Sequence, residues 1–94
     1  MINLTEANIK QLQSFLEYLN NNKNLAKEIR SLSTIGLQDI INAEKSGDEN
    51  SKRKSKSQWS EIKKKIGVDF LKGLAVTSDI ITVGSAAYKY LFLI

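Results

Sequence analysis

Apolar residues in the first part of the chain return at helical intervals. Ile9, Leu12, Leu16 and Leu19 step by three and four, and Phe15 and Tyr18 widen the stripe. That spacing predicts an amphipathic helix over residues 3–19. Asn3, with Glu6 three positions on, reads as its start rather than as the glycosylation sequon Asn3-Leu4-Thr5, and Asn20-Asn21-Asn22 as its stop. Leu25, Ile29 and Leu32 continue the step, and Leu37, Ile40, Ile41 and Ala43 resume it beyond Ser33-Thr34-Ile35-Gly36. Two short helices fit that interruption best, with a single kinked helix over 24–45 as the rival.

From Lys45 to Ser57 the stretch KSGDENSKRKSKS has no apolar residue. It cannot offset its ordering entropy by burial, and is expected to be a mobile polar and basic loop. Beyond it Trp59, Ile62, Ile66 and Phe70 share one stripe, which predicts a fourth helix capped by Ser57 with Trp59 buried. Thr77-Ser78-Asp79 resembles another helix start. A last helix is expected to run to Ile94, although the β-branched run Ile80-Ile81-Thr82-Val83 is also compatible with a strand. The expected fold is all-α: a small four- or five-helix bundle with a polar basic loop before the fourth helix, forming one domain over 1–94.

Composition supports helices, since the 94 residues include no proline and 41% are apolar. A chain this small buries only a modest core. There is no cysteine, hence no disulfide or thiolate metal site, and no histidine, which removes the usual general base and commonest metal ligand. No catalytic residue, metal ligand or cofactor site is assigned. Asp69 and Asp79 lie ten residues apart with no nucleophile or phosphate loop beside them, so they read as partners for Lys72 or Lys65, or as a helix cap, rather than as an acid and base. The amino terminus has neither a basic nor an apolar leader segment, and the cytoplasm is the favoured compartment.

Charge is uneven. Residues 52–65 hold seven of the 14 Lys and Arg against Glu61 alone, leaving seven basic and nine acidic residues elsewhere. Lys52, Arg53, Lys54, Lys56, Lys63, Lys64 and Lys65 thus form a basic patch ahead of an apolar tail. The tail holds more apolar residues than a small core covers, which points to a non-catalytic interaction module: an adaptor, an inhibitor or an immunity-type bundle. Its partner, or a second copy in a homo-oligomer, would dock on Tyr88, Tyr90, Phe92 and Ile94, with Gly84, Ser85 and Ala86 allowing close helix approach. Death-fold-like adaptors and bacteriocin immunity proteins are analogous in size and helix count, an analogy that implies no function. Two alternatives stand beside this reading. One is membrane association or pore formation through residues 66–94, although the longest charge-free run before Lys89 is only Ile80 to Tyr88. The other is electrostatic binding of nucleic acid by the 52–65 cluster.

Overall fold

The computed structural model describes residues 4–93 and is all-helical among them. Five helices follow in order: α1 (Glu6–Asn21), α2 (Lys27–Ser46), α3 (Glu49–Ile66), α4 (Val68–Thr77) and α5 (Ala86–Phe92). α1 starts at Thr5, not at Asn3, which lies outside the described residues. The Asn8 amide donates to the Thr5 hydroxyl (3.2 Å) while the Thr5 amide donates to Asn8 Oδ1 (3.1 Å), a reciprocal cap. Leu12, Phe15 and Leu19 carry the expected buried stripe.

α2 runs without interruption through Ser33-Thr34-Ile35-Gly36, so the expected pair of short helices is one helix. Ser33 and Thr34 donate their hydroxyls back to the Ile29 and Arg30 carbonyls at 2.7 and 2.8 Å, which satisfies them inside the helix. Gly36 marks the α2–α3 crossing. A β-carbon there would meet Ile62 Cδ1 at 2.7 Å and Trp59 Cε3 at 2.9 Å, so the missing side chain is what lets α3 approach.

The loop expected over 45–57 is helical. Gly47, in the left-handed region with φ 74°, ends α2, and Asp48 caps α3 by accepting from the Ser51 amide at 3.1 Å. Only these two residues connect the helices. Lys, Arg and Glu favour helix, and the helix is anchored beyond the polar stretch by Trp59, Ile62 and Ile66.

Gly67, at φ 111°, separates α3 from α4. The stripe from Trp59 to Phe70 is therefore broken: Leu71 turns into the core and Phe70 to solvent. Residues 78–85 form turns rather than the start of a long final helix, with Asp79 (φ 59°) and Gly84 (φ 93°) in the left-handed region. Ile80 to Val83 belong to neither helix nor strand. α5 begins only at the Ser85 cap, whose hydroxyl accepts from the Tyr88 amide at 3.1 Å. One apolar core draws on all five helices and on Leu25 and Ile81 from the connections.

Candidate functional site

α3 presents two different surfaces. Lys52, Lys56, Trp59 and Lys63, spaced four, three and four, lie on one flank. That flank grips α5. The Trp59 indole N–H and the Lys63 ammonium both donate to the Leu91 carbonyl at 2.9 Å. Leu91 lies in the last turn of α5, where carbonyls lack intrahelical donors and the helix dipole favours a cation. The Lys56 ammonium lies 4.4 Å from the centre of the Tyr90 ring, and Trp59 and Phe92 meet with ring centroids 6.5 Å apart. The Tyr90 hydroxyl donates to Glu44 Oε1 on α2, and Lys52 pairs with Glu44 at 3.8 Å and with Glu49 at 3.6 Å. Burial, followed by the Glu44 hydrogen bond and charge, holds the Tyr90 phenol well above its ordinary value. Burial lowers the Lys63 ammonium, and the nearby Lys72 charge lowers it further.

Three of the seven residues in the expected basic patch are therefore committed to the fold, Lys56 and Lys63 against α5 itself and Lys52 through Glu44, which holds Tyr90. The patch is divided, not unified. Arg53, Lys54, Lys64 and Lys65 remain exposed on the outer face of α3. Lys64 pairs there with Glu61 at 3.6 Å, a contact between exposed side chains that contributes little.

The expected partner surface is corrected as well. Tyr88, Tyr90 and Phe92 are only 7%, 2% and 7% exposed: Lys56 and Glu44 cover Tyr90, Phe92 meets Trp59 and Tyr88, and Ile94 lies outside the described residues. Gly84 makes no close helix contact, since a β-carbon there would have nothing within 4 Å. Neither Asp69 nor Asp79 forms an ion pair among the described residues.

Exposed apolar area lies elsewhere. Phe70 (48% exposed) and Val76 stand on the outer arc of α4, Val83 (71% exposed) on the following turns, and Leu93 beyond α5; Ile35 on α2 is the other large apolar side chain exposed among the described residues. Reasoning from the sequence missed Phe70 because its spacing from Ile66 concealed the break at Gly67. No helix among the described residues is long and apolar enough to cross a membrane. Comparison with protein-family models, with curated proteins and with solved structures found no match to this chain.

Proposed function

We propose that this chain is a non-catalytic interaction module of the cytoplasm that docks a protein partner, a second copy of itself included, on the apolar surface of residues 70–93. The observation that carries this reading is the distribution of large exposed apolar side chains: among the described residues Phe70, Val76, Val83 and Leu93 fall in this stretch and Ile35 alone falls outside it. Scattered single exposed apolar side chains are normal on a monomer, whereas a concentration of them in one stretch is a feature of contact sites. On α4 the arc of Phe70, Gly73 and Val76 offers a ring and an aliphatic side chain with a flat backbone stretch between them. With Tyr88, Tyr90 and Phe92 buried, the proposed docking face is read on α4 rather than on α5.

A photo-reactive residue at position 70, with a control at exposed Glu17 on α1, tests the reading in the native host, together with sedimentation of the purified chain. A discrete protein adduct from position 70 and none from position 17, or concentration-dependent self-association abolished by Phe70→Ser with Val76→Ser, is the expected result. A strictly monomeric chain with no adduct above the control would remove the proposal.

A further inference from the structure

We infer that the outer face of α3 is a docking surface for duplex DNA, with the helix lying in the major groove and its basic side chains on the flanking phosphates. This inference concerns a different face from the apolar one on α4 and stands independently of it. The sequence pI of about 9.4 and the gathering of Lys and Arg along one helix form the electrostatic footprint of a nucleic-acid-binding protein. The structure separates the side chains that build the fold from those free to bind. Lys52, Lys56 and Lys63 turn inward, whereas Arg53, Lys54, Lys64 and Lys65 face solvent.

The layout along the helix suits a groove. Arg53-Lys54 and Lys64-Lys65 lie 11 positions apart, about 16 Å at the rise of an α-helix. Arg53 and Lys64, three turns apart, align along one flank of the arc and Lys54 and Lys65 along the other, so a helix lying in the major groove, which is about 12 Å wide and admits one helix, turns one basic row to each wall. Between the pairs the outer arc carries Ser57 and Gln58, and Asn50 lies a turn before Arg53, types that hydrogen-bond to base edges. No apolar side chain interrupts this arc. Glu61, paired with Lys64, Glu49, paired with Lys52 a turn before Arg53, and Asp39, which shares a groove with Lys54, are carboxylates alongside it.

Other nucleic acids fit less well. Single strands are gripped by stacked aromatics, but Trp59 and Tyr90, the aromatic residues beside the basic cluster, are buried. The deep, narrow major groove of duplex RNA does not admit a helix. Duplex DNA is thus the polyanion that this face matches in both charge and shape.

Fluorescence anisotropy with a labelled random-sequence DNA duplex of two helical turns tests the assignment. With about four phosphates contacted, affinity should fall roughly 100-fold between about 50 and 200 mM salt. Replacing Arg53 and Lys54 together, or Lys64 and Lys65 together, by Gln should reduce the salt slope by about two units each, whereas Lys10→Gln with Lys23→Gln should leave it unchanged. Circular dichroism of each variant confirms that the helix persists. Duplex DNA should outcompete single-stranded DNA, duplex RNA and polyglutamate by at least about tenfold, since of these only the major groove of duplex DNA admits the helix. The inference is overturned by absence of binding at the lower salt, by equal competition from polyglutamate or anionic vesicles, or by equal loss of affinity in the Lys10 and Lys23 control.

Discussion

Gly36→Ala probes the contact on which the α2–α3 pair is built. The added methyl would lie 2.7 Å from Ile62 Cδ1 and 2.9 and 3.4 Å from Trp59 Cε3 and Cζ3, against a comfortable carbon–carbon separation of about 3.5–4.0 Å. The Ile62 terminus can swing aside, but the indole is held by its bond to the Leu91 carbonyl and by Phe92. Overpacking of this kind costs about 1–3 kcal/mol, and Ala regains about 1 kcal/mol of helix propensity over Gly. The expected net change is a loss of up to about 2 kcal/mol. Gly73 on α4 supplies the reference, because nothing lies within 4 Å of a β-carbon there. Gly73→Ala should therefore stabilise by about 1 kcal/mol, leaving the clash alone, about 1–3 kcal/mol, between the two variants. In a domain of this size that separates their melting temperatures by at least about 4 °C. Thermal and urea unfolding followed by circular dichroism and Trp59 fluorescence measure it. A Gly36→Ala protein as stable as Gly73→Ala would refute the close approach of α3 to α2.

Trp59→Phe should cost about 1–3 kcal/mol in urea unfolding, since it removes the donor to the Leu91 carbonyl and leaves a smaller ring in the core; an unchanged midpoint would contradict the grip on α5. Tyr90 keeps its proton in the folded state at pH values where the unfolded phenol, near its ordinary 10.0, has lost it, so its contribution declines as pH rises above that value. Tyr90→Phe should show a correspondingly shallower alkaline loss in a pH series of unfolding midpoints. Asp48 is depressed below its ordinary 3.8 by the Ser51 hydroxyl and amide, so its contribution is full above that value and is lost as pH falls through the lower folded value. Asp48→Asn retains a cap and should lack this acid-limb dependence, which acid titration followed by circular dichroism reads.

Local pattern was sufficient for the helical class and for the core stripe of α1, because the step of three and four at Leu12, Phe15 and Leu19 is a property of neighbouring residues. It was also sufficient for burial of Trp59. The path of the chain after Ile66 was not legible in the same way. A stripe continues through Gly67 on a helical wheel, and only packing against the core reveals that the backbone turns there, exposing Phe70 and burying Leu71. For the basic cluster, the sequence determined its charge and density, but a lysine carries the same letter whether it caps a helix or faces water. Tertiary structure decided that Lys52, Lys56 and Lys63 serve α5 while Arg53, Lys54, Lys64 and Lys65 do not. The partners that make the difference, Glu44, Tyr90 and the Leu91 carbonyl, lie as far as 34 positions along the chain, beyond the reach of any periodicity. For the same reason Tyr88, Tyr90 and Phe92 look like spare apolar surface in the sequence and are core in the fold: their burial depends on helices that local spacing does not bring to them.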